Sequence, residues 1–227
     1  MSKILRATVL GGVLLVAGPS GEVSAQPKEL PAQIVTIGAT AEIYRKGATA
    51  WTPAALRENV GEGDGVRTQV GGRVTLKTAS GQALRLGSRS QMAFLPPEGG
   101  PDGGPTLVRM DSGWLWVAVT PGSPVTEQFE IRAGPAVITV RGSGVGLRRN
   151  SDGSLLVQVH HGTATCAGPD KQWERSLTGP QELLVPATGP PAQPRALTVD
   201  PVETTWVKWN TDQDNAGGFG GKKAKEP

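Results

Sequence analysis

The chain has 227 residues and a net charge of +3; 32 glycines and 19 prolines punctuate it, and aromatic residues make up only 4%. Lys and Arg are scattered singly between apolar residues, which argues against nucleic-acid binding, because such proteins gather their cations on one face. The single cysteine, Cys166, excludes an intrachain disulfide and any multi-cysteine zinc site.

At the start, Lys3 and Arg6 precede an apolar run of about 11 residues from Ala7 to Ala17, and Val23-Ser24-Ala25 offers small residues at −3 and −1 of a cleavage site. A helix needs about 20 residues to cross the bilayer core, so residues 1–25 read as a cleavable export signal. The expected location is the periplasm or the extracellular space, with the mature chain starting at Gln26. No later apolar stretch approaches spanning length, so no membrane span is expected after cleavage.

From Ile34 to Val185, short runs alternate with period two between Gly- and Pro-rich turns, the mark of half-buried strands. They are Ile34–Ile37, Ala41–Tyr44, Arg73–Lys77, Ala83–Leu86, Gln91–Phe94, Trp114–Val119, Phe129–Ile131, Ala136–Val140, Val145–Leu147, Leu155–Val159, Thr163–Cys166, Glu174–Leu177 and Glu182–Val185. Asn150 to Gly153 reads as a hairpin turn, since Asp-Gly suits a tight connection. Pro96 to Pro105 reads as an exposed, mobile loop.

The spacing of about ten residues per strand predicts an all-β fold, either β-solenoid-like or a two-layer twisted sheet. It is followed by a short C-terminal helix. The expected divisions are a β domain over 26–186, a Pro-rich linker over 187–199, a docking helix over 200–210 and a disordered Gly/Lys-rich tail over 211–227. The helix is signalled by the N-cap Asp200, Pro201 at the first helical position and Glu203 at N3. Val202, Trp206 and Trp209 fall at i, i+4 and i+7, the stripe expected to dock on the sheet.

Two segments carry more than secondary structure. Gly61 to Thr68 contains Gly63-Asp64-Gly65-Val66-Arg67-Thr68 and leads into the Arg73 strand and the Ser80-Gly81 turn. Val140-Arg141-Gly142-Ser143 follows the Phe129 strand and leads to the Asp152-Gly153 hairpin. In order and spacing these resemble the FecR domain, the periplasmic domain of iron-transport sigma regulators, over roughly Ile34 to Val185. The resemblance implies an envelope compartment and a protein partner. The membrane-bound regulators that define the family also have a sigma-factor-binding cytoplasmic segment, a transmembrane helix and a further C-terminal domain, none of which is read in this chain. Ser143 stands where the family usually has Thr.

The motif residues Gly63, Asp64, Arg67, Thr68, Arg141 and Gly142 are expected to be structural. Asp64 is suited to an Asx-type turn, and Asp64 or Glu62 is expected to pair with Arg67 or Arg141. Gly142 and Gly144 suit positive φ or close approach. Gly142 to Gly146 imitates a nucleotide loop, but a strand follows, so no helix N-terminus faces a phosphate.

No catalytic, metal or cofactor residues are assigned. His160 and His161 are neighbours on a strand and are expected to point to opposite faces. Cys166 is expected to be a buried small hydrophobe. Trp114 and Trp116 share a strand face and read as core, whereas Trp51, in a polar loop, is the candidate exposed binding aromatic. The chain is expected to be a non-catalytic binding or sensory module of the cell envelope with an envelope protein as partner. The alternative is a polysaccharide-binding or structural envelope protein, with a glycan contacted through Trp51.

Overall fold

The computed structural model describes residues 32–79, 81–96, 105–123 and 129–219. The export signal expected at 1–25 lies outside the described residues, as do most of the Gly/Pro loop (97–104) and the last eight residues (220–227).

The first strands are β1 (Ala32–Gly38), β2 (Ala41–Tyr44), β3 (Thr52–Pro53), β4 (Asn59–Val60) and β5 (Gly65–Thr68). Next come β6 (Arg73–Lys77), β7 (Ala83–Leu86), β8 (Gln91–Phe94), β9 (Thr106–Ala118) and β10 (Phe129–Ala133). The series closes with β11 (Ala136–Arg149), β12 (Leu155–Ala167), β13 (Glu174–Thr178), β14 (Gln181–Val185) and β15 (Arg195–Ala196), and one helix, α1 (Pro201–Gly217), follows. The fifteen strands of the described residues join one mixed sheet, and among them only β9 and β10 run parallel.

Three long strands fold this sheet over. The first half of β9 pairs with β8 and β10, and the second half with β7 and β11. Likewise, β12 pairs with β14 through Leu155–Val159 and with β13 through Thr163–Ala167. One layer therefore runs β15-β14-β12-β11-β9-β7-β6-β1-β4, and the other runs β13-β12-β11-β10-β9-β8-β5-β2-β3. Inward residues of both layers form one core, with Leu84, Val117, Val145 and Val157 from the first and Met92, Val108, Ile131, Ile138 and Cys166 from the second. Of the two expected architectures, the two-layer twisted sheet is the one formed.

Each long strand carries a glycine at positive φ at its midpoint: Gly113 (φ 81) in β9, Gly142 (φ 58) in β11 and Gly162 (φ 76) in β12. L-residues avoid that region, so glycine is what lets a strand bend there and continue. Local periodicity reads each glycine as a strand end. That is why β11 and β12 were each expected as two strands and why the first half of β9 was not expected as a strand.

The C-terminal region departs from expectation. Arg195 and Ala196 pair with Glu182 and Gln181, and Pro191 is buried, so the Pro-rich stretch packs on the domain. Asp200 caps α1 as expected, its carboxylate accepting the Val202 N–H at 2.8 Å. The helix extends to Gly217, so residues 211–217, expected to be disordered, are helical. The expected docking stripe is corrected in part. Val202 is 81% exposed, and the buried residues are Glu203, Val207, Asn210 and Asp214. Trp206 of the expected stripe does pack, half-buried, against the cluster of Ala83, Trp116 and Ala118, but the fully buried positions beside it are mostly polar.

Candidate binding face

The outer face of the second layer is built by simple alternation. Met92 and Phe94 in β8, Val108 and Met110 in β9, Phe129 and Ile131 in β10, and Ile138 and Val140 in β11 point into the core. Their neighbours Gln91, Arg109, Asp111, Glu130, Arg132, Thr139 and Arg141 therefore point outward. The result is a charged platform across nine strands, with Trp51 at one end and Arg141 near the other.

Most charges on this platform are neutralised within it. Arg67 donates from Nε and Nη2 to the Glu42 carboxylate at 2.8 and 3.1 Å, and its guanidinium lies 4.5 Å over the Trp51 ring. The Arg67 bond, reinforced by Gln69, holds the Glu42 carboxyl below its ordinary pKa. Arg109 bonds Asp111, and Arg132 bonds Glu130. Arg141 is exposed and makes no ion pair among the described residues. It lines a groove of about 760 Å³ with Thr139, Thr165, Lys171 and Glu174.

At the other end, Trp51 is half-buried and meets Tyr44 with ring centroids 5.5 Å apart. It lines a smaller pocket of about 150 Å³ with Gln91, Arg109 and Asp111. Trp51, expected to be exposed, is half-buried, with Arg67 covering its ring.

The motif residues separate into two groups. Asp64 and Thr68 are buried and Gly63 turns the chain at φ 83, whereas Arg67 and Arg141 lie on the outer face. Asp64 is buried and accepts N–H bonds from Gly61 at 2.9 Å and Lys46 at 2.8 Å. Its partner is Arg45, whose Nη1 donates to it at 2.8 Å. Burial raises the Asp64 carboxyl, but these donors outweigh it and leave the pKa below the ordinary value. The expected pairing of Asp64 with Arg67 or Arg141 is thus corrected: Arg67 takes Glu42, and Arg141 faces solvent. Arg45 lies 19 residues from Asp64, and nothing local marks it as the partner.

Cys166 is buried in the core, and burial pushes its thiol up to about 12. Trp116 is buried against α1. Trp114 is half-buried, with the Arg148 guanidinium 5.1 Å over its ring. No cluster of three His, Cys, Asp or Glu residues able to hold a metal occurs among the described residues, and none of their helices is long and apolar enough to cross a membrane.

The family model described as FecR protein matches residues 64–165, from the Asp64 turn to the outer edge of the groove. Over those residues the chain matches the FecR domain. Arg132, Thr139, Arg141 and Thr165 of the groove lie inside the FecR match, whereas Trp51 and α1 lie outside it. Two crystal structures from Parabacteroides distasonis ATCC 8503, both described as an anti-sigma factor, share the fold at a TM-score of 0.51 and 19% identity. The match covers 63% of this chain, which spans 63% of one and 64% of the other. No curated protein matches the chain.

Proposed function

We propose that this FecR domain is a non-catalytic binding or sensory module of the bacterial cell envelope, and that it contacts an envelope protein through the groove around Arg141. The observation that carries this reading is a contrast on one face. Glu42–Arg67, Asp111–Arg109 and Glu130–Arg132 are paired internally, whereas among the described residues Arg141, Lys171 and Glu174 of the groove make no ion pair, which leaves two cations against one carboxylate there. An acidic surface on a partner would complete those charges, and two guanidinium or ammonium contacts also set register. The FecR match and the fold shared with the anti-sigma-factor structures support a regulatory role rather than a chemical one. The export signal read at 1–25 supports the envelope location.

A photo-crosslinking residue at Thr139, compared with one at the exposed Val35 in β1, tests this. One discrete protein adduct at Thr139 is expected in cells, lost in Arg141→Glu and weakened by added salt. Equal adducts at both positions, or none, would refute the reading. The Trp51 pocket favours a second reading, polysaccharide binding. Glycan retained by the protein and lost in Trp51→Ala would select it.

A further inference from the structure

The seam between α1 and the first layer is held by charge more than by apolar contact. Asp214 accepts from Arg85 Nη1 at 2.6 Å and from the Trp116 indole N–H at 2.9 Å, and side-chain exposures of 4% for Arg85 and 2% for Asp214 place that pair out of water. Glu203 meets Arg148 at 2.5 Å and accepts from Gln158 at 3.0 Å. Apolar contact is limited to Val207 and Phe219 on Ala83, Trp116 and Ala118, with Val199 and Trp206 beside them.

Two imidazoles lie in this seam. Alternation along β12 puts Leu155, Val157 and Val159 in the core and His160 on the α1 side. Its ring sits 4.6 Å from that of Trp116. His161 was expected on the opposite face, but a bulge intervenes: Gly144 pairs with His161, while Val145 pairs with Val159. His161 Nε2 consequently lies 3.7 Å from Asp214 Oδ2. Gly144 permits this approach, since a Cβ there would fall 2.5 Å from His161 Nε2 and 2.9 Å from Asp214 Oδ2. The Nε2 of His160 and both ring nitrogens of His161 are buried without a hydrogen-bond partner.

We propose that protonation of His160, half-buried between Trp116 and α1, releases α1 from the sheet, making the helix an acid-opened strap over Trp116. The charge balance of the seam drives the release. With the His160 ring neutral, Arg85 from β7 and Arg148 from β11 match Asp214 and Glu203 from α1, while Glu182 from β14 is held by Arg195. With the His160 ring charged, three cations face two carboxylates. Asp214 is already committed to Arg85 and Trp116, so it compensates the added charge only in part.

Burial, then the neighbouring His161, push His160 down to about 4 against the pull of Asp214. In the undocked state its value returns toward the ordinary 6.5. The undocked state therefore binds more protons. Docking is complete above about pH 6.5 and weakens as pH falls toward 4, by roughly tenfold per pH unit and about 300-fold in total. Release bares the apolar patch of Trp116, Ala83 and Ala118.

Amide hydrogen exchange on the full chain between pH 7.5 and 4.5, corrected for intrinsic rates, tests the proposal. Protection of residues 201–217 is expected to fall about 100-fold, while β9 and β11 keep theirs. His160→Gln with His161→Gln should flatten this dependence. Tryptophan fluorescence of the wild type, reporting Trp206 and Trp116, provides a readout that needs no variant. The proposal fails if α1 protection is constant over this range. It also fails if the whole sheet opens at the same pH, or if the double variant loses α1 at the wild-type pH.

Discussion

Asp64 shows how much chemistry one side chain of the motif concentrates. Removing it in Asp64→Ala strands two backbone donors and the Arg45 guanidinium. The expected cost is about 2–3 kcal/mol, read as a lower melting temperature. Because its carboxyl sits below the ordinary value, its contribution holds above about pH 4 and is lost as pH falls through the folded-state value. Arg141→Ala, by contrast, should shift stability by less than about 0.5 kcal/mol, because the side chain is exposed and unpaired. Cys166, fully buried, should resist a maleimide in the native protein and react only after denaturation. The Asp64 turn and the burial of Cys166 were legible because each depends on residues within a few positions. Arg45 was not, because hairpin packing selects it.

Helix α1 is the element whose start was readable and whose end and polar docking were not. Asp200, Pro201 and Glu203 announce the N-terminus through short-range capping chemistry. Glu203 then spends its carboxylate on Arg148 and Gln158, partners supplied by β11 and β12. Breaking one side of the buried Arg85–Asp214 pair in Asp214→Ala is expected to cost about 3–5 kcal/mol and to free the helix, since Arg85 is left buried without its counter-charge. Replacing both partners, as in Arg85→Met with Asp214→Leu, should recover most of that loss. Hydrogen exchange over residues 201–217 distinguishes the two outcomes. A helix held this way gains little from apolar burial, which is why its stability is open to control by charge.

Across the molecule, the two outer faces have different characters. One presents the charged platform and the Arg141 groove inside the FecR match, and the other is covered by α1. The fold that separates them depends on the three mid-strand glycines. Gly162→Ala should cost about 1–3 kcal/mol from backbone strain alone. Overlap adds to this, since a Cβ there would fall 2.3 Å from the Gly142 carbonyl oxygen. A drop in melting temperature larger than that of any exposed-loop Gly→Ala change is the expected reading. Period-two alternation and Gly/Pro punctuation were enough to establish an all-β chain of short strands with Cys166 inside, because those signals act between residues two apart. They could not say that Gly113, Gly142 and Gly162 bend strands rather than end them, or that a bulge brings His160 and His161 to one side. Nor could they pair Arg85 with Asp214, 129 residues away. Those outcomes rest on strand register, where a one-residue slip exchanges the faces, and register is settled only when both layers close on their common core.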